Sequence, residues 1–105
     1  ETVGIRYDDI NSMDAIVAQV TTMLLAHPDI DASQTMIVNF NKFSASSVDF
    51  FIYTFTKTTD WIDFHRIKQD VLLKVADVVA ANSAEIAFPT STVHIANEEA
   101  LTIGN

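Results

Sequence analysis

The spacing of hydrophobic residues changes once near the start of the chain, from every second position to every third or fourth. Val3, Ile5 and Tyr7 alternate with smaller or polar residues, which predicts a half-buried strand ended by the acidic pair that follows. Apolar residues then recur every three or four positions, which predicts a helix that stops before Pro28. Asn11 or Ser12 is placed to cap it. Its apolar stripe comprises Met13, Ile16, Val17, Val20, Leu24 and His27.

Two runs rich in β-branched and aromatic residues, 35–41 and 48–56, predict an antiparallel hairpin with its turn at 42–47. Both alternating sets of the second run are apolar. This predicts a strand at the centre of its sheet, or one whose second face a partner covers. The two sets are Val48, Phe50 and Ile52, and Phe51, Tyr53 and Phe55.

A second helix is predicted from a cap at Thr59 or Asp60 to about Asn82. A short strand follows at 85–88, Pro89 interrupts it, and 92–95 is extended again. We expect a domain over 1–96 and a frayed polar tail over 97–105. The helix stripe comprises Phe64, Ile67, Val71, Val75, Val78 and Val79.

The predicted order is β-α-β-β-α-β. In an α+β domain this order predicts a ferredoxin-like, four-stranded antiparallel sheet with both helices on one face. Right-handed crossovers would place the first and third strands in the centre.

Composition narrows the class of protein. The 105 residues include 49% hydrophobic residues and no cysteine, which suits a single globular domain without disulfides or thiolate metal sites. Because the chain opens at Glu1 without a leader or an initiator Met, we expect a soluble piece of a longer protein. A formal net charge of −8 argues against binding to nucleic acid or anionic lipid.

The residues that could carry chemistry favour structural roles. His27, His65 and His94 are too far apart in sequence for a helical metal pair, and we expect His27 and His65 to be partly exposed. Asp29 and Asp31 begin like a calcium loop, but the glycine and final glutamate of that loop are missing.

At the start of the second helix, Asp60 and Asp63 suit the positive end of the helix dipole better than acid–base catalysis. Trp61 is expected in the core rather than at a partner surface. With two glycines in the chain, a glycine-rich phosphate loop is excluded. We therefore predict no enzyme activity and no cofactor.

Several segments, in this order, resemble the carboxy-terminal α/β domain of the small-conductance mechanosensitive channel (MscS-type) family. The resemblance covers about residues 2–95. The segments are Ile5-Arg6-Tyr7-Asp8, His27-Pro28-Asp29-Ile30, Val38-Asn39-Phe40-Asn41-Lys42-Phe43, Ser46-Ser47-Val48, Phe51-Ile52-Tyr53 and Ile86-Ala87-Phe88-Pro89-Thr90-Ser91-Thr92-Val93-His94-Ile95.

The resemblance implies a homo-heptameric cage on the cytoplasmic side of the inner membrane, with ions passing through portals between subunits. The parent protein would be an integral membrane channel that releases ions on osmotic shock. The exit from the domain would make subunit contacts through Phe88, Pro89, Thr90, Thr92, Val93, His94 and Ile95.

Two other functions fit the residues. The first is a ferredoxin-like regulatory domain that binds a small molecule and dimerises through its sheet. The second is a stand-alone interaction module.

Overall fold

The computed structural model describes residues 1–87. Strands β1 (Thr2–Ile5), β2 (Ile37–Phe43) and β3 (Val48–Tyr53) form an antiparallel sheet in the order β1-β3-β2. The helices are α1 (Met13–Ala26) and α2 (Trp61–Ala81), and a 3₁₀ helix, Tyr7–Ser12, leads into α1. The α+β class is confirmed, with two helices and three strands within this part of the chain.

One face of the sheet carries the core. Val3 lies opposite Phe50, Ile5 opposite Val48, and Val38 opposite Ile52, so these side chains share a face. All of them are buried, and the Phe50 side chain is fully enclosed. The central position predicted for the third strand is confirmed, since β3 pairs with a strand on each side.

Both helices bury most of their predicted stripes against this face. Phe64, predicted in the stripe of α2, is 38% exposed, because the buried residues of this helix begin only at Ile67. In α1 the buried residues are Met13, Ile16, Val20 and Leu24, and in α2 they are Ile67, Val71, Val75 and Val79. All eight belong to the same hydrophobic cluster as the sheet residues. The period read from the sequence therefore identified the packed sides of both helices.

The start of the chain differs from the prediction at two residues. Tyr7 lies in the 3₁₀ helix rather than in β1, because the Asp9 N–H bonds to the Arg6 carbonyl (3.0 Å) and turns the chain. Ser12 occupies the capping position of α1 without making a side-chain cap. The Met13 N–H bonds to the Ile10 carbonyl, and the Ser12 hydroxyl reaches the Asn82 carbonyl instead (3.4 Å).

The first strand of the hairpin is shifted by two residues from its predicted limits and contains a β-bulge, while the second begins at Val48 as predicted but ends at Tyr53 rather than at residue 56. β2 runs from Ile37 to Phe43, and the turn is closed by a bond from the Ser44 N–H to the Ser47 carbonyl (2.8 Å). The register shifts between Phe40 and Lys42, which leaves Asn41 as the additional residue. A bulge in an edge strand bends it and discourages pairing with another chain.

The predicted fourth strand lies only partly within the described residues. Ile86 forms an antiparallel bridge with Ile5, on the edge of β1 that β3 does not occupy. Phe88 and the extended segment at 92–95 fall outside the described residues.

Truncation of Phe50 should destabilise the domain by about 3–5 kcal/mol, since Phe50→Ala removes a fully buried ring from the centre of the core. Phe43 is a matched control because it lies on the same hairpin but is 64% exposed. Phe43→Ala should cost about 1 kcal/mol, mostly from its edge-on contact with Phe40. Urea unfolding of both variants measures the difference, and equal losses would contradict this description of the core.

Candidate functional site

The residues predicted to make subunit contacts, 88–95, lie outside the described residues. The structure does describe the segment immediately before them and the contacts that fix its direction. We therefore take as the candidate site the segment at residues 85–87, where the chain leaves the described part of the domain, together with the exposed surfaces of the domain.

The exit segment begins beside β1. The Arg6 N–H donates to the Glu85 carbonyl (3.2 Å), and the Ala87 N–H donates to the Gly4 carbonyl (2.9 Å). With the bridge between Ile5 and Ile86, these bonds make residues 85–87 run antiparallel to β1. The chain therefore runs alongside β1 up to residue 87, where the described part ends.

Three residues, Arg6, Asp9 and Glu85, fasten this exit, and we call them the exit lock. The Arg6 guanidinium binds both Asp9 oxygens, through Nε (2.9 Å) and Nη2 (3.0 Å). Asp9 Oδ2 also accepts from the Glu85 backbone N–H (2.9 Å). The same guanidinium lies 3.5 Å from the Glu85 carboxylate. One carboxylate thus joins the 3₁₀ helix to the exit segment.

The hydrogen bond from Arg6 and then the Glu85 amide hold the pKa of Asp9 below its ordinary value. The same pairing raises the pKa of Arg6. Both groups are charged at neutral pH, as a bidentate pair requires. The sequence prediction missed this role, although an arginine three residues before an aspartate was a visible signal for such a pair.

A second cluster ties the start of the 3₁₀ helix to the hairpin, and we call it the turn cluster: Tyr7, Ser44, Ser47 and Asp49. The Tyr7 hydroxyl donates to the Ser44 carbonyl. The hydroxyls of Ser44 (2.5 Å) and Ser47 (2.6 Å) donate to the two oxygens of the buried Asp49 carboxylate. The structure thus brings together segments, near Tyr7 and Ser47, that are far apart in sequence.

Gly4 leaves the space that this carboxylate occupies. A Cβ at Gly4 would lie 2.7 Å from Asp49 Oδ1 and 3.0 Å from the Ser47 side chain. Both neighbours are held by hydrogen bonds, so they resist displacement. The lack of a side chain at Gly4 is therefore a packing requirement.

Trp61 is exposed, so its expected place in the core is wrong. It is 75% exposed and the next residue, Ile62, is 79% exposed, because the buried stripe of α2 begins only at Ile67. The Trp61 ring contacts His65 edge-on, and Phe64 also contacts His65. The first turn of α2 thus presents an apolar and aromatic surface.

His27 is buried, contrary to the expected partial exposure, while His65 is exposed. Imidazole Nε2 of His27 lies 2.7 Å from Asp70 Oδ2, and Nδ1 accepts from the Asp29 N–H (3.1 Å). The sequence held no signal for the Asp70 partner, which is 43 residues away. His94 lies outside the described residues. Among residues 1–87, histidines and carboxylates nowhere form a group of three suited to a metal ion.

The remaining carboxylates of the sequence analysis have structural partners. Asp31 accepts from the Ser33 N–H (3.1 Å) and hydroxyl (2.6 Å), and these bonds lower its pKa. Asp60 caps α2 as predicted, accepting from the Asp63 N–H (2.9 Å). Asp63 pairs with Arg66 (2.7 Å), which lowers the pKa of Asp63.

Neither helix of the described part is long and apolar enough to cross a membrane. The geometry thus defines a small α+β module with a fastened exit and an exposed apolar surface. A family model described as "Mechanosensitive ion channel MscS, C-terminal" matches residues 2–86. The chain belongs to this family of ion channels, and the resemblance found in the sequence is confirmed.

Two curated relatives show how much of a channel the chain represents. It is 44% identical over 96 residues to the low conductance mechanosensitive channel YnaI of Escherichia coli, covering 91% of this chain and 28% of the relative. It is 30% identical over 84 residues to the uncharacterized MscS family protein YhdY of Bacillus subtilis, covering 80% of this chain and 22% of the relative. The chain therefore spans less than a third of either protein.

Solved structures share the fold. The cryo-EM structure of Arabidopsis thaliana MSL1 A320V matches with a TM-score of 0.74 and 12% identity, over 85% of this chain and 34% of that one. The wild-type AtMSL1 structure matches with a TM-score of 0.73 and 12% identity, over 85% and 31%. At this identity the likeness establishes the fold alone.

Replacement of Asp9 by Asn should destabilise the domain at neutral pH, because it removes the charge that Arg6 and the Glu85 amide bind. Since the folded-state pKa of Asp9 is lowered, its contribution is fully present above the unfolded-state value of about 3.9. It is lost as the pH falls through the folded-state pKa. Urea unfolding of wild type and Asp9→Asn from neutral to acidic pH measures this convergence.

Asp8 provides the matched control, since it is adjacent and exposed. Asp8→Asn should leave the unfolding free energy nearly unchanged at every pH. A gap between wild type and Asp9→Asn that stays constant down to about pH 2 would contradict the role of the ionised Asp9 carboxylate.

Gly4→Ala should destabilise the domain by about 1–2 kcal/mol, because the overlap with Asp49 and Ser47 outweighs the better strand propensity of alanine. In a protein that already carries Asp49→Ala, Gly4→Ala should destabilise the domain less than it does in the wild type, because the obstructing carboxylate is gone. Thermal unfolding of the four proteins in this cycle provides the measurement. Strict additivity would show that the two sites do not interact.

Proposed function

We propose that this chain is the cytoplasmic cage domain of an MscS-type mechanosensitive channel, where it contributes to subunit assembly and to ion-permeation portals. The observation that carries the proposal is the family match over residues 2–86. The relative at 44% identity is itself named a low conductance mechanosensitive channel. The domain is non-catalytic, and its parent lies in the inner membrane and releases ions on osmotic shock. Family membership favours this function over a small-molecule-binding regulatory domain.

The complete sheet in this proposal has four strands in ferredoxin-like order. Ile86 bridges to Ile5 on the open edge of β1, and the Ala87 N–H bonds to the Gly4 carbonyl. Continuation of this pairing beyond residue 87 would add a fourth strand beside β1 and complete the domain over residues 1–96.

The exit residues make the subunit contacts in this proposal, and the parent assembles as a homo-heptamer. Support comes from the exit lock, which holds the chain at Glu85 just before Phe88, Pro89, Thr90, Thr92, Val93, His94 and Ile95. The exposed Trp61 and Ile62 offer further apolar area for contacts with other subunits. Contact through such side chains would remove them from water in the assembled channel.

The charge of the domain supports a role at ion portals. The chain carries 14 acidic and 6 basic residues. Asp8, Asp14 and Asp77 are exposed and make no salt bridge within residues 1–87. A wall that bears such unneutralised carboxylates repels anions and concentrates cations at its openings.

Neutralisation of these three carboxylates in the full-length parent channel should therefore raise its relative permeability to anions. The triple variant Asp8→Asn, Asp14→Asn and Asp77→Asn is recorded in excised patches under a potassium chloride gradient. The reversal potential should move toward the equilibrium potential of chloride.

Salt provides the control for this experiment. At about 1 M ionic strength the Debye length falls to about 3 Å, so the difference between variant and wild type should disappear. An unchanged reversal potential at low salt would count against a place for these residues at a portal. A purified parent that forms no oligomer and conducts no ions would overturn the whole proposal.

A further inference from the structure

His27 lies at the carboxyl end of α1 with both ring nitrogens engaged. Its side chain is 3% exposed. Nε2 lies 2.7 Å from Asp70 Oδ2 on α2, and Nδ1 lies 3.1 Å from the backbone nitrogen of Asp29. The ring thus bridges the two helices and the turn that follows α1.

These partners define the protonation state of the ring. A backbone N–H can only donate, so Nδ1 must accept and carries no proton. The hydrogen of the neutral ring is then on Nε2, where it points to the Asp70 carboxylate. A second proton would have to enter at Nδ1, where it would face the Asp29 N–H. Two donors cannot share a hydrogen bond, so protonation breaks this contact.

Charged groups lie close to the ring on α2. On α2, Asp70 faces it directly, and Lys74 lies 3.5 Å from the other oxygen of Asp70. The bond to His27 is the main cause of the lowered pKa of Asp70. The carboxyl end of α1 also stabilises positive charge.

Charged residues also lie near the turn that follows α1. Arg66 lies between the carboxylates of Asp29 (3.8 Å) and Asp63 (2.7 Å). Lys57, on the segment after β3, donates its backbone N–H to the Asp29 carbonyl (3.0 Å). Protonation of the His27 ring would strengthen its contact with the Asp70 carboxylate and weaken its contact with the Asp29 amide in the turn.

The turn next to His27 holds the segment between β3 and α2. Besides the bond from Lys57, the Asp31 N–H donates to the Phe55 carbonyl (2.8 Å), and Ile30 bridges to Thr56. Ile30 is buried in the core. Loosening of this turn would therefore also loosen residues 54–60, the segment that leads to the exposed first turn of α2.

We propose that His27 is a pH-sensitive latch: protonation at Nδ1 releases the Asp29 amide and loosens the turn at residues 27–31 while the bond to Asp70 holds. Histidine is the side chain whose unperturbed form changes charge in the physiological pH range, which makes moderate acidification the trigger of this latch. The rest of the core stays folded, since the latch concerns one hydrogen bond at the end of α1.

The test is an NMR titration of the 105-residue chain between about pH 8 and about pH 5.5. Ring nitrogen shifts report protonation of His27, and the Asp29 amide reports its hydrogen bond. The Asp29 amide shift should move with the same midpoint as the His27 ring. Its protection factor against hydrogen exchange should fall by roughly fivefold to tenfold, the contribution of one hydrogen bond.

Variants separate the latch from a general effect of acid. His27→Gln should abolish the transition at Asp29, whereas His65→Gln, on the exposed face of α2, should leave it intact. Asp70→Asn, which keeps an acceptor for Nε2 but removes its charge, should move the midpoint to lower pH and serves as the test if His27→Gln does not fold.

Three outcomes would overturn the proposal. One is a His27 ring that stays neutral throughout the range. Another is an Asp29 amide that keeps its shift and protection while the ring becomes charged. The third is an unchanged transition in His27→Gln.

Discussion

Burial of β3 between two partner strands and beneath two helices is the constraint on which the rest of the structure depends. Phe50, fully enclosed, lies opposite Val3 on β1 and Phe40 on β2. Within residues 1–87, β1 pairs along its length with β3 and makes a single bridge to the exit segment, so its position follows from that of β3. The direction in which the chain leaves the domain is therefore set by the centre of the sheet.

Two of the six basic residues of this acidic chain, the arginines, pair with carboxylates on another segment as well as on their own. Arg6 holds Asp9 against the exit segment, and Arg66 lies between Asp29 and Asp63. Both guanidinium groups are partly exposed, so their value for stability is modest. Their geometric effect is larger, because a bidentate pair fixes direction as well as distance.

The two ends of the domain differ in how they are held. At one end, the Asp49 carboxylate, the hydroxyls around it and the Tyr7 hydroxyl fasten the hairpin to the start of the chain. At the other end, a buried histidine joins the two helices to a turn. The first arrangement is thus built on a carboxylate and hydroxyls, and the second on an imidazole. The exposed apolar residues Trp61 and Ile62 belong to the helix that this histidine contacts.

The sequence alone determined the elements and the faces that they bury. Periodicity identified both helical stripes and the central strand, because a hydrophobic side chain must be covered wherever it recurs with the helical or strand period. Thr59 and Asp60 were both predicted as possible caps of α2, since capping depends on a few neighbouring residues, and Asp60 makes the cap. The order of short motifs was enough to indicate the family.

Only the tertiary structure decided which polar groups meet. The pairing of His27 with Asp70, and the space that Gly4 leaves for Asp49, depend on the packing of segments more than 40 residues apart. Trp61 was placed wrongly because a tryptophan at a helix start is equally compatible with core and surface until the rotation of the helix is known. Local pattern determines what each segment can bury, but the fold determines what it touches.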